Sequence, residues 1–269
     1  MLVDKPFSSA ASVERMSSAA NAAGLLFMDA THFVHCARTA AVKEKLARGV
    51  IGTVQHITVN FYAGAMLAQD NIRFDPKLEP HGAIGDLGWY TARAAIEYLV
   101  PDKDLSIQSV SSVNHVSKNG AITQGSSIVK FSNNTTMVSS VGFTGAWDQS
   151  LQVVGSTGSL RIKDFLLDHH NSGVFSQPWR PLQFEVFVGT DPEPNATYAT
   201  HTPFAPMNKE PRALMFEGFA RDAADATKRQ LRLFCLQKII VFLKVCFRFW
   251  ATQSFRTQQV VDAMFHGKK

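Results

Sequence analysis

Five short segments, 105–116, 122–131, 135–143, 149–154 and 159–163, limit the fold more than any other feature of the chain. Turn chemistry separates them at Asn119-Gly120, Asn133-Asn134 and Ser156-Thr157-Gly158. Glycine and asparagine accept the positive φ of tight turns, so each reverses the chain within a few residues. Strands joined this closely leave no room for crossover helices, and the sheet they build is mainly antiparallel. Val54, Ile57, Val59 and Phe61 begin the same strand-rich stretch earlier. One helix, 86–99, interrupts it and stops at Pro101, whose ring cannot continue the helical ladder. Farther on, 164–210 is rich in proline and polar residues, with one strand-like run at Gln183–Val188. Arg212–Thr227 reads as a helix.

The N-terminal part has a different rhythm. Residues 9–24 form a helix, with Ser8 or Ser9 as its cap, Ala10, Val13, Met16 and Ala20 at helical spacing, and Gly24 as its stop. Leu25-Leu26-Phe27-Met28 is an apolar run suited to a buried strand. Thr39–Arg48 gives a second helix, closed by Gly49 and Gly52. Strand, helix and strand in alternation belong to a doubly wound α/β sheet, of which there is room here for the last unit only.

Composition excludes several classes. At 45% hydrophobic and 18% charged, the 269 residues are those of an ordinary globular protein. The net charge of +5 is unevenly placed: Lys228–Lys269 holds nine Lys/Arg against the single acid Asp262, leaving 18 Lys/Arg and 21 Asp/Glu elsewhere. A basic tail on a mildly acidic body argues against a nucleic-acid groove. Cys36, Cys235 and Cys246 are odd in number and lack metal-type spacing, which fits a reducing, cytoplasmic compartment. Met-Leu-Val-Asp-Lys-Pro is too quickly charged for a signal peptide. Leu231–Trp250 has the length of a membrane span, but Arg232, Lys238, Lys244 and Arg248 interrupt it. Each central charge costs about 2.5–3.5 kcal/mol on insertion scales, so no membrane crossing is expected.

The candidate chemistry lies in two places. Asp4-Lys5-Pro6 stands at the N-terminus, and Gly82-Ala83-Ile84-Gly85-Asp86-Leu87-Gly88-Trp89-Tyr90 follows much later. Asp86 and Tyr90, four apart at the start of a helix, emerge on one face. The glycines let the backbone turn sharply and let a ligand approach. A phenol of pKa ~10 exchanges protons poorly at neutral pH unless a cation stabilises its ionised form, and Lys5 is a candidate for that cation. The plainer reading is that Asp86 caps the helix while Trp89 and Tyr90 fill the core.

These motifs, in order, resemble the glucose–fructose oxidoreductase/inositol dehydrogenase (Gfo/Idh/MocA) family. Asp4-Lys5-Pro6 looks like the family's Glu-Lys-Pro, with Asp for Glu. Val42-Lys43 and Gly49-Val50-Ile51-Gly52-Thr53-Val54 resemble its helix leading into a strand. Gly85-Asp86-Leu87-Gly88-Trp89-Tyr90 matches its Gly-Asp-x-Gly-x-Tyr. Gly142-Phe143 and Leu151–Leu160 resemble its sheet hairpin, and Arg256–Ala263 its closing helix. The chain is most similar to plant-type members related to dimeric dihydrodiol dehydrogenases and sugar dehydrogenases. The resemblance implies Lys5, Tyr90 and Asp86 as catalytic residues and NAD or NADP as cofactor, with Lys5, Pro6 and Arg38 beside it. It places His81, Asp86 and Tyr90 against a sugar, polyol or dihydrodiol substrate. It also implies a homodimer formed through the open face of the sheet. His32 and His35 read as structural or exposed rather than as metal ligands.

The organisation implied is α/β. Residues 1–36 are the last βα unit of a Rossmann-like dinucleotide-binding domain, and 37–227 an α+β substrate-binding and dimerisation domain with helices on one face of its sheet. An atypical apolar-basic helix follows at 228–250, then a closing helix at 251–269. No Gly-x-Gly-x-x-Gly/Ala loop occurs in the sequence, so a truncated form of the oxidoreductase is expected. The competing expectation is a catalytically inactive sheet module that dimerises or binds partners.

Overall fold

The alternating segments assemble, in the computed structural model, into one sheet whose eight strands run in the order β10-β9-β8-β7-β3-β6-β5-β4. The structure describes residues 1–64, 67, 70–99, 105–166, 184–189, 197–201, 211–233 and 240–266. Pro101 lies outside them.

The chain opens with β1 (Leu2–Val3), α1 (Ala10–Ala22) and β2 (Met28–Asp29), then a 3-10 turn at His32–His35 and α2 (Ala37–Ala47). Strand β3 (Val54–Tyr62) leads through a second 3-10 turn, Ile72–Phe74, into α3 (Gly82–Asp86) and α4 (Gly88–Leu99). The strands β4 (Ile107–Val116), β5 (Ile122–Phe131), β6 (Thr136–Gly142), β7 (Leu151–Gly155), β8 (Gly158–Ile162), β9 (Phe184–Val188) and β10 (Thr197–His201) follow. Helices α5 (Pro211–Leu233) and α6 (Ile240–His266) close the chain.

Every neighbouring pair in the large sheet is antiparallel except β3 and β6, which are parallel. That exception follows from connectivity. Between β3 and β6 the chain spends two helices and a hairpin, enough length to return in the same direction. Ile57, Val59, Phe61, Val129, Phe131, Met137, Val141, Leu151, Val153, Leu160 and Ile162 project from alternate positions into the core. They meet α4, nearly all of whose residues are buried, its polar Thr91, Arg93 and Glu97 having partners inside the fold. On the opposite face Val113 and Ile128 are 66% and 53% exposed.

Local chemistry fixes the helix ends. After α1, Gly24 takes φ 68° while Leu25 N–H donates to Ala20 O and Gly24 N–H to Asn21 O, the Schellman pattern. Gly49 ends α2 in the same way, with Val50 N–H on Lys45 O. This turn points Leu25 outward, 54% exposed, so the strand expected over 25–28 begins only at Met28.

Three further differences have identifiable causes. The helix expected over 86–99 is two helices, because the chain breaks at Leu87 between α3 and α4. Of the helix expected over 228–250, the described parts belong to α5, which continues to Leu233, and to α6, which runs from Ile240 to His266 and takes in 251–266 of the expected closing helix. β10 falls where proline and polar residues gave no strand signal. Among the described residues no helix is long and apolar enough to cross a membrane.

One buried charge network joins the layers. Arg93, fully buried on α4, donates to Asp29 Oδ2 at 2.7 Å and to Glu97 Oε1 at 2.9 Å, and Lys43 reaches Glu97 Oε2 at 2.6 Å. Ser254 on α6 also donates to Asp29 Oδ2, at 2.5 Å. Replacing Arg93 by Met leaves buried Asp29 without its cation and Glu97 with Lys43 alone, and a loss of about 3–5 kcal/mol is expected in urea unfolding. A loss below about 1 kcal/mol would show that the network is not holding these carboxylates as ions.

Candidate active site

The last helix decides where the N-terminal lysine lies. Segment 4–10 runs between β1 and α1 and is tied to α6 at two points. Phe7 N–H donates to Gln258 Oε1 at 3.1 Å, and Ala10 N–H to Asp262 Oδ2 at 2.8 Å. The Phe7 ring packs against Phe27 and Trp89, with centroids 6.0 and 5.4 Å away. Just before these anchors the Lys5–Pro6 peptide is cis, and Lys5 is carried over the junction of α3 and α4.

There Lys5 Nζ donates to Asp86 Oδ1 at 2.5 Å and to the Asp86 main-chain oxygen at 2.8 Å. It also lies 4.4 Å from the centre of the Tyr90 ring. The Lys5 and Asp86 side chains are only 8% and 11% exposed. Asp86 ends α3 and Tyr90 sits in the first turn of α4, so the break at Leu87 sets the angle between them. The second Asp86 oxygen accepts Arg73 Nε at 2.6 Å. Tyr90 is half-buried and flanked by His32 at 5.8 Å and Phe61 at 6.0 Å, centroid to centroid. Phe61 continues into an aromatic wall with Trp147 and Phe165.

Burial and charge compete at each group. Burial pushes the Asp86 carboxyl up, but Lys5 and Arg73 outweigh it and hold the group below the usual carboxylate range. Burial pushes the Lys5 ammonium down, while Tyr90 and Asp86 return it above its ordinary value. Burial raises the Tyr90 phenol, Lys5 opposes the rise, and Asp86 and Asp4 add to it. The arrangement is an ionised pair beside a neutral phenol, with one face of the ammonium directed at the ring. Such a set can polarise an oxygen and exchange a proton with it.

Lys5, Asp86 and Tyr90 are therefore brought together, with Pro6 alongside: its Cγ stands 3.3 Å from where a Cβ on Gly85 would be. Arg38 and His81 are engaged elsewhere. Arg38 is buried and grips Asp164, through its carboxylate at 2.7 Å and its main-chain oxygen at 2.6 Å. His81 turns toward α6, its ring edge-on to Phe265 at 4.7 Å. The glycines admit protein rather than ligand. A Cβ on Gly82 would stand 2.3 Å from Ile122 O, and one on Gly85 2.6 Å from His81 Cβ. Among the described residues no group of three His, Cys, Asp or Glu could hold a metal ion.

Sequence reasoning missed Arg73 and the place of His32. The available signal for Arg73 was Asn71, whose side chain accepts from Arg73 N–H at 3.1 Å and shapes the turn that presents the guanidinium.

Residues 39–161 match the GFO/IDH/MocA C-terminal domain. The fold is similar to that of KijD10, a 3-ketoreductase from Actinomadura kijaniata solved with NADP and TDP-benzene. The TM-score is 0.71 at 22% identity, covering 99% of this chain and 70% of that one. It is similar also to an inositol dehydrogenase homologue from Azotobacter vinelandii complexed with NAD+, with TM-score 0.73, 14% identity, and 100% and 70% covered. An aldose-aldose oxidoreductase from Caulobacter crescentus complexed with glycerol gives TM-score 0.72 at 14% identity, with 99% and 69% covered.

The histidines near the site make stability depend on pH. Burial, aided by Arg212 and Lys5, pushes His32 down to about 4; burial, aided by Arg93, does the same to His35. The folded state keeps both neutral, whereas the unfolded chain takes up protons below about 6.5. Stability is thus full above that value and falls as pH drops toward 4. Asp29, Asp86 and Glu97, whose folded values are lowered, lose their contribution only below the ordinary carboxylate range near ~4. The urea midpoint is expected to fall between about pH 6.5 and 5, and His35→Gln to flatten the decline by roughly half. A flat profile over that window would contradict the buried neutral state.

Proposed function

We propose that this chain, whose residues 39–161 match the GFO/IDH/MocA C-terminal domain, serves an NAD(P)-dependent oxidoreductase acting on the CH–OH group of a sugar, polyol or trans-dihydrodiol. The observation that carries this reading is the Lys5 ammonium held between the Asp86 carboxylate and the Tyr90 ring. Two of its three protons go to Asp86, which leaves the third on the side of Tyr90 and of any oxygen placed there.

In this mechanism Tyr90 exchanges the hydroxyl proton with the substrate, and Lys5 polarises the same oxygen and favours the phenolate in transit. Asp86 fixes the direction of the ammonium. Half-buried Tyr90, the Phe61 ring and the aromatic wall behind it shield this proton from bulk water. A bound nicotinamide supplies or accepts the hydride. Lys5 and Pro6 are the residues proposed beside it, since Lys5 stands over the Tyr90 ring and Pro6 adjoins Gly85 in α3. The neighbours support the assignment: KijD10 has been solved with NADP in variants altered at a lysine and at a tyrosine, 84 positions apart. Lys5 and Tyr90 are 85 apart. Cys36, buried and in no disulfide, suits a reducing compartment such as the cytoplasm.

A second reading rests on the open sheet face. Exposed Val113 and Ile128 lie among Ser111, Ser126 and Ser140, a surface suited to a second copy of this chain. If the chain serves only as a dimerising sheet module, it associates through that face and takes up neither NAD(H) nor NADP(H).

Two measurements separate these readings. Titration with NADP(H) and NAD(H), run beside a sedimentation analysis, is expected to give saturable cofactor binding. A dimer with no affinity for either favours the module. In steady-state assays Tyr90→Phe is expected to lower kcat by at least about 100-fold with little change in KM. Undiminished turnover removes Tyr90 from the mechanism.

A further inference from the structure

The geometry points to Arg73 as a positioning residue that clamps the second oxygen of Asp86 and so keeps the Lys5 ammonium free to act on Tyr90. The inference rests on the reading of Lys5 and Tyr90 given above, and goes beyond it in assigning the charge balance to a residue outside that trio.

A carboxylate with a single cationic partner can turn about its last bond and share both oxygens with it. Asp86 is not free to do so. Lys5 holds Oδ1 at 2.5 Å and Arg73 Nε holds Oδ2 at 2.6 Å, from opposite sides. The guanidinium is presented on a braced turn. Asn71 Oδ1 accepts from both Arg73 N–H at 3.1 Å and Nη1 at 3.3 Å. The following Phe74 is held through its carbonyl by Asn119 Nδ2 at 2.5 Å and through its ring by Phe143 at 5.4 Å. A planar, braced fork fixes a carboxylate plane in a way a flexible ammonium does not.

The consequence is electrostatic. Two cations face the Asp86 carboxylate, so Asp86 does not have Lys5 as its sole counter-charge and cancels less of the positive charge beside the phenol. Other charged or titratable groups face this cluster. Glu79 bears on Asp86 and Arg73, Asp4 on Tyr90, and His32 feels both Lys5 and Arg212. Burial pushes Glu79 up, with Asp86 adding to the rise, which weakens its claim on the two cations. Tyr90 is itself among the charges that hold Arg73 above its ordinary value, and by reciprocity Arg73 favours the ionised phenol. The Arg73 side chain is 33% exposed, so its replacement does not open a cavity in the core.

The test compares the full chain with Arg73→Gln, Arg73→Lys and Lys5→Met. Asp86 is followed by carboxyl-carbon NMR and assigned with Asp86→Asn. Arg73→Gln is expected to raise the Asp86 midpoint by about one pH unit, a tenfold gain in proton affinity, and Arg73→Lys to restore at least about half of it. In turnover assays the basic limb of kcat/KM moves to higher pH in Arg73→Gln, with the Michaelis constant for the cofactor unchanged. An Asp86 midpoint that stays in place in Arg73→Gln while moving in Lys5→Met overturns the assignment. So does an Arg73→Lys variant indistinguishable from Arg73→Gln. Arg73→Met replaces the glutamine variant if that fails to fold, as judged by circular dichroism. If Tyr90→Phe keeps full turnover, the proposed mechanism falls, yet the carboxyl titration still decides the role of Arg73.

Discussion

An ammonium within 2.5 Å of a carboxylate, both almost out of water, is the contact on which the candidate site depends. Desolvating either charge alone is unfavourable, so Lys5 and Asp86 hold each other as ions only while the chain keeps them together. The structure does this with elements distant in sequence. Gln258 and Asp262, on the last helix, tie down the segment that carries Lys5. The same helix donates Ser254 to Asp29 and so joins the buried network around Arg93. α6 therefore serves both the stability of the helical layer and the geometry of the site.

The aromatic environment then sets this ion pair beside a phenol. Tyr90 is neither fully buried nor free. Its ring receives the ammonium on one side, and His32 and Phe61 stand close by. A phenol fixed in this way keeps its proton at neutral pH but has a cation at hand to stabilise its loss. The carboxylate would work against that loss if it faced the phenol uncompensated. The two cations on Asp86 oppose this effect.

Much of this was legible in the residues, and the reasons for the exceptions are physical. The β4–β8 strands followed from alternation and turn residues because both are local properties. Lys5, Asp86 and Tyr90 were found through an ordered set of motifs, not through spacing, since a lysine some eighty positions from its partner carries no periodic signal. The Arg93–Glu97 pair, four apart on a helix, is visible in a sequence, whereas its partner Asp29 is not. His81 was expected at the substrate, but its ring packs edge-on against Phe265, a contact 184 positions away in the sequence. Arg38 likewise found Asp164 across the sheet. The two-helix division at Leu87 eluded a pattern that registers helical spacing but not the angle between consecutive helices.

The central claim is that the Lys5 ammonium and the Tyr90 ring interact directly. A double-mutant cycle with Lys5→Met and Tyr90→Leu, read as unfolding free energy, measures that interaction alone. The account predicts a coupling of about 0.5–2 kcal/mol, in the range of partly buried cation–ring contacts. Strict additivity, within about 0.3 kcal/mol, would place the two groups apart and contradict it.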